Sequence, residues 1–300
     1  GAAALACAFY ASTVGDQATA NGLLMTGFVG CFLGIFCTIL FNDRKSAAGS
    51  REGVLLVVGF WTVIPLLASP AFLYAGVSQT FTEALFESVS NLTTTGSSLK
   101  DSIQPDGVRA WRAVLQLFGG IGGVVLAVVV LAALNLSGPG VHRSHLLTLP
   151  KDDFFGRNWA IAGIVSLVYG VMAVLGWIAI SAAGETPLNA LTRAVAAVTT
   201  SSTLSGEGGA FGYTPIVAIV VSVLLFLGAT NIAFHADLLR PGGWKRYLND
   251  REAIALFAGV VVVGIIASLM NGQFDIRLFA EGLSFLATSG MSVTGVDGVL

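Results

Sequence analysis

Apolar runs of about 20 residues alternate along this chain with two kinds of polar connection, and that alternation carries the first reading. The runs lie at 22–41, 53–75, 108–136, 158–183, 213–236 and 252–271, each near the length a helix needs to cross the hydrocarbon of a bilayer. An apolar stub at 1–14 is expected to be the end of another span, because it lacks the charged start and small-residue cleavage site of a signal peptide. The first kind of connection is basic. Arg44, Lys45, Arg51, Arg143, Lys151, Arg157, Arg240, Lys245, Arg246 and Arg251 supply ten of the fifteen Lys and Arg residues. Basic loops stay in the cytoplasm, so 42–52, 137–157 and 237–251 are assigned inside, and counting spans puts the other connections outside.

Those outer connections repeat. Ala84–Gly96, Ala190–Ser202 and Leu278–Gly290 overlay without a gap: Leu92, Val198 and Leu286 share one column, Thr94, Thr200 and Thr288 the next but one, and Thr95, Ser201 and Ser289 the one after. A repeat outweighs a single motif. Each apolar half is about 12 residues, or roughly 18 Å of helix, enough to enter half a membrane and no more. Start signals precede each: Thr80 with Glu83 at capping-box spacing, Thr186 before Pro187, and Asp275 as a cap for the third. After each comes a Thr/Ser-rich turn ending in Gly96, Ser202 or Gly290 that resists continued helix. Irregular backbone at membrane depth persists only against protein or a water-filled path, so these segments are expected to be re-entrant pore loops.

Composition agrees with a bilayer protein. The chain is 55% hydrophobic and 11% charged, with mean hydropathy +0.82, and no basic cluster with interleaved aromatics offers a nucleic-acid surface. Cys7, Cys31 and Cys37 are odd in number and scattered in apolar runs, which argues against a disulfide framework or metal site. The fold expected is an all-α membrane protein of repeated helix–pore loop–helix units around a central ion pathway.

Helix ends and carbonyls supply the chemistry. Each short helix would turn its partly negative C-terminus inward and favour a cation there. Backbone carbonyls of Thr93, Thr94, Thr95, Gly96, Thr199, Thr200, Ser201, Ser202, Ala287, Thr288, Ser289 and Gly290 are the candidate filter, replacing the hydration shell of a potassium ion that is the substrate. No cofactor is expected in this chain.

The quoted motifs resemble the Trk/Ktr superfamily of potassium-translocating subunits, most closely its TrkH branch. Phe86–Gly96 is similar to that family's first pore loop, Trp111–Gln116 with Gly119, Gly120, Ile121 and Gly122 to the start of its next span, and Gly228–His235 to the end of its second unit. The resemblance implies leading transmembrane helices in 1–42, pore unit 1 in 53–136, pore unit 2 in 158–236, and pore unit 3 in 252–300, cut short after its filter with the fourth unit absent. It also implies potassium uptake across the bacterial inner (plasma) membrane, a homodimer, and a cytoplasmic nucleotide-binding regulatory subunit of the TrkA type on the basic loops. The chain is accordingly expected to be a fragment of a longer product.

Ser202 departs from the pattern of Gly96 and Gly290. At a left-handed position it would carry a backbone cost, and in plant members of the superfamily a Ser in the first filter loop is linked to sodium permeation. A sodium-permeable or non-selective cation transporter of the same fold is therefore the alternative. An inverted-repeat secondary transporter is less favoured, because the three repeats share one orientation. No Ser-His pair, paired intramembrane Asp or His-Glu zinc motif points to an enzyme.

Other residues have plainer readings. Gly119 and Gly123 have helix-packing spacing inside a span instead of a nucleotide-loop context. His142 and His145 lack a third metal ligand. Asn231 and His235 are expected to satisfy helix-end carbonyls or line an inner vestibule. Glu87, Arg193 and Glu281 share a repeat column near the water-accessible outer half of each short helix, and Arg109 and Arg112 are expected to anchor a span at the outer surface.

Overall fold

The computed structural model describes residues 1–41, 50–99, 104–133, 154–202, 214–232, 235 and 250–291. The basic loops 42–49, 134–153 and 236–249, with His142 and His145, and residues 203–213, with Gly206, Gly208 and Gly209, lie outside the described residues. Among the described residues all regular structure is helical: α1 (Ala2–Thr13), α2 (Gln17–Phe41), α3 (Ser50–Ala68), α4 (Pro70–Tyr74), α5 (Phe81–Leu92), α6 (Asp106–Ala133), α7 (Phe154–Ala182), α8 (Pro187–Val198), α9 (Pro215–Ala229), α10 (Arg251–Met270) and α11 (Arg277–Leu286). The chain is an all-α membrane protein. Among the described residues, five stretches, 17–40, 53–74, 106–128, 159–182 and 251–270, are long and apolar enough to cross a bilayer.

Local chemistry explains where these helices start. Thr80 Oγ1 accepts the Glu83 N–H at 3.2 Å, while Glu83 Oε2 reaches back to the Gln79 N–H at 2.7 Å, one residue before the position a standard capping box uses. Thr186 accepts from Asn189 N–H ahead of Pro187, Thr214 from Val217 N–H ahead of Pro215, and Asp250 from the first-turn amides of α10. At α11 the cap is shifted. Asp275 accepts the Arg277 N–H at 2.9 Å, yet the residue at the helix boundary is Ile276, whose side chain cannot cap. The Arg277 guanidinium and amide also hold the Asp275 carboxyl below its ordinary value.

Two spans expected as single helices are interrupted. In 53–75 the break falls at Ser69, because Pro70 has no N–H for the Leu66 carbonyl; the Ser69 hydroxyl donates to that carbonyl instead, at 2.9 Å. In 213–236 the helix stops at Ala229, only 15 residues long, roughly 22 Å at 1.5 Å per residue. Thr230 turns extended (φ −87°, ψ 164°), and residues 232 and 235 are helical again. The freed Leu227 carbonyl accepts from Thr230 Oγ1 and lies 2.8 Å from His235 Nε2. His235 thus satisfies a helix-end carbonyl.

The chain divides into two compact units, one holding α1 to α6 and the other holding α7 from Ala160 onward through α11, together with Thr94–Gly96. In the first, Ala4, Ala8 and Ala11 of α1 pack with Leu23, Phe72 and Trp111; the small side chains let helix axes approach closely. In the second, α8 is sealed by its alanines, with Ala190, Ala194, Ala196 and Ala197 fully buried, and α9 buries Val217, Val221 and Leu225. Large apolar side chains along α2, among them Phe28, Phe32, Phe36 and Ile39, are exposed.

Candidate functional site

The three repeat helices end alike. Thr93, Thr199 and Ala287 are their C-caps, with φ/ψ of −77°/6°, −91°/7° and −77°/2°. The following residues, Thr94, Thr200 and Thr288, then turn left-handed, with φ of 57°, 50° and 55°. Among the described residues these are the only non-glycine positions with positive φ. In the second repeat the Thr200 N–H bonds the Ala197 carbonyl and the Ser201 N–H bonds Ala196, while in the third Thr288 N–H bonds Phe285 and Ser289 N–H bonds Ser284. This is the paired closure of a Schellman motif, whose left-handed residue is normally glycine. For a β-branched residue the conformation is a true outlier, and strain of this kind collects where function fixes the backbone. Thr200→Gly is expected to stabilise the fold by about 1 kcal/mol, read as a higher thermal midpoint in detergent; an unchanged or lower midpoint would mean that the threonine side chain offsets its own strain.

Serine 202 does not follow its repeat partners. Gly96 and Gly290 have φ of 73° and 64°, whereas Ser202 is absent from the positive-φ residues. The backbone cost expected at Ser202 is therefore not there; it sits two residues earlier, in the threonine column.

Within the second unit the turns meet. A Cβ at Gly96 would overlap the backbone of Ser202 and come within 2.8 Å of Ser201 Oγ, so glycine permits direct backbone approach between first and second turns. The Ser289 hydroxyl donates to the Ser201 carbonyl at 2.9 Å, joining second and third. Ser201 and Ser289 are buried. By contrast the hydroxyls of Thr93 and Thr199 turn back to their own helices, onto the Val89 and Val195 carbonyls at 2.9 and 2.8 Å. A cavity of about 370 Å³ borders the second and third turns, and its lining includes Thr200, Thr288, Thr230, Asn231 and Glu252.

Two further features recur between repeats, the first of them at Gly119, which the sequence marks as a packing glycine. A Cβ at Gly119 of α6 would overlap the Leu92 carbonyl, and one at Gly228 of α9 the Val198 carbonyl, so in two repeats the last carbonyl of the short helix rests on a glycine of the next. Gly123 plays no such part, since nothing lies within 4 Å of its would-be Cβ; Gly122 instead faces the Phe60 ring. Ser90 Oγ donates to the Ser97 carbonyl at 2.6 Å, and Ser284 Oγ to the Met291 carbonyl at 2.6 Å. Both serines stand six residues before the turn glycine, where the second repeat has Ala196.

The charged column also differs from expectation. Glu87 is 1% exposed and Arg112 5%, and they form an ion pair at 2.8 Å. Neither reaches outer water. Arg193 pairs with Glu185 across the start of α8, and Glu281 is half-buried.

A family model described as TrkH, a cation transport protein, matches residues 24–263. The chain belongs to the TrkH family. It is 30% identical over 288 residues to the Trk system potassium uptake protein TrkH of Vibrio parahaemolyticus and 29% identical over 280 residues to that of Escherichia coli K12, covering 90% of this chain in both cases. The crystal structure of the potassium transporter TrkH from Vibrio parahaemolyticus superposes with a TM-score of 0.77 at 27% identity, over 95% of this chain and 60% of that one. This TrkH-family chain spans 59% and 57% of the lengths of the two relatives.

Proposed function

We propose that this chain forms the greater part of a potassium uptake pore in the bacterial inner membrane. The observation that carries the reading is the meeting of three equivalent turns, each at the C-terminal end of a half-length helix, through Gly96 against Ser202 and Ser289 on Ser201. Backbone carbonyls of Thr93–Gly96, Thr199–Ser202 and Ala287–Gly290 are the proposed cation ligands. The ends of α8 and α11 add partial negative charge beside the cavity lined by Thr200, Thr230 and Thr288, which receives the ion. In this reading, the basic loops are cytoplasmic and the pore units are 53–136, 158–236 and 252–300, completed by further chain in the whole protein. Inward movement down the membrane potential gains about 2.3 kcal/mol per 100 mV for each charge. Two further assignments rest on the family resemblance alone, a homodimer and a TrkA-type cytoplasmic partner, which crosslinking and copurification from native membranes would test.

The decisive experiment is rubidium or potassium uptake by the full-length protein in cells lacking their own uptake systems. Concentrative uptake above vector control is expected, and its absence with protein present in the membrane would refute the reading. Selectivity supplies a sharper test. Ser202→Gly makes left-handed backbone available at the second turn and lets it take the shape of the other two, so the potassium-to-sodium flux ratio is expected to rise about fivefold, the equivalent of about 1 kcal/mol of differential binding. An unchanged ratio would exclude Ser202 as a determinant.

A further inference from the structure

We infer that Glu87 and Arg112 are positioning residues for the first filter strand, fixing its exit beyond Gly96 and through it the discrimination between potassium and sodium. The inference rests on the pore reading above. Glu87 lies in α5, but its carboxylate does not serve helix packing. Oε1 accepts from the Ser98 hydroxyl at 2.7 Å and from the Leu99 N–H at 3.0 Å, and Oε2 accepts from Arg112 Nη1 at 2.8 Å. Arg112 in turn donates to Gln104 Oε1 at 3.2 Å, and Gln104 Nε2 lies 3.4 Å from Ser98 Oγ. With Ser90 holding the Ser97 carbonyl, three consecutive residues after the turn glycine are tied down by side chains of α5, and Arg112 of α6 braces the carboxylate that holds two of them. Carbonyl ligands select by number and placement, and a strand fixed one residue past the filter cannot relax freely around a smaller ion.

Comparison of the repeats separates this device from general stability. The third repeat keeps the serine tie, Ser284 to the Met291 carbonyl. The second has Ala196 in place of the serine and Arg193 in place of the glutamate, and that arginine turns to Glu185 at the start of its own helix. The second turn is also the one with Ser202 for glycine. A serine in this column and a turn glycine therefore occur together in the first and third repeats, and the second repeat has neither.

Glu87→Gln is a pointed test because Ser98, Leu99 and Arg112 present donors to the carboxylate from both sides, so an amide nitrogen must face either a backbone N–H or the guanidinium. The full-length protein in liposomes is assayed for potassium, rubidium and sodium flux, with Glu87→Gln and the milder Ser98→Ala, which removes one of the two strand bonds to the carboxylate and the long contact to Gln104. Glu87→Gln is expected to lower the potassium-to-sodium ratio about tenfold, the scale of one charge-assisted hydrogen bond, and Ser98→Ala about threefold. An equal fall in all fluxes, or a wild-type ratio in Ser98→Ala when Glu87→Gln does not assemble, overturns the inference and leaves the pore reading standing. Absence of potassium flux from the wild-type protein overturns both.

Discussion

Gly119→Ala is expected to reduce potassium uptake to background, while Gly123→Ala, one turn further along the same helix, leaves it unchanged. The added Cβ at 119 would occupy the place of the Leu92 carbonyl, a backbone atom at the end of α5 that has no rotamer through which to escape. Either α6 or α5 must move. Overpacking of this kind costs about 3 kcal/mol, and the shift falls directly on the turn that begins at Thr93. At Gly123 the same methyl group meets nothing within 4 Å. Gly228→Ala should repeat the defect in the second repeat, where the Val198 carbonyl is the obstacle. Uptake normalised to membrane-inserted protein, with a thermal midpoint in detergent, checks all three; wild-type uptake in Gly119→Ala would show that the helix end is not held where it appears.

Arg112→Ala is expected to destabilise the protein by about 3–5 kcal/mol, because it leaves the Glu87 carboxylate buried with no counter-charge. Removing the carboxylate as well, as in Glu87→Leu with Arg112→Met, takes away the uncompensated charge and should recover most of that loss, though the Ser98 hydroxyl and Leu99 N–H then lose their acceptor. The comparison is read from thermal midpoints of the single and double variants. A single variant within about 1 kcal/mol of wild type would place the pair with weak surface bridges instead.

What the sequence made legible was periodic or local. The alternation of apolar runs located five helices of membrane-crossing length, the caps at Thr80 and Thr186 located two of the short helices, and the columns of the repeat led to the turns that meet. What it concealed depends on contacts or on unusual backbone. Glu87 and Arg112 are 25 residues apart, and only the packing of α5 on α6 turns two apparently water-facing charges into a buried pair. The left-handed threonines were hidden because residue preference assigns such positions to glycine, which drew attention to Gly96, Ser202 and Gly290. Hydropathy runs smoothly through 213–236, and nothing in an apolar average marks Thr230 as a stop. The spacing of Gly119 and Gly123 suggested a shared helix seam, whereas the glycine that pairs with Gly119 in use is Gly228, its counterpart in the next repeat.

The left-handed threonine has a consequence for how such a chain can vary. The second and third turns each close by two hydrogen bonds counted back five and three residues from the positions just after the helix, so their length comes in whole-residue steps with no slack. One residue inserted or deleted there would hand the left-handed conformation to a neighbour and rotate every later oxygen off its place. Copies that diverge freely in side chains, Glu87 against Arg193 or Gly96 against Ser202, are thereby barred from diverging in spacing, which is why three of them still align residue for residue.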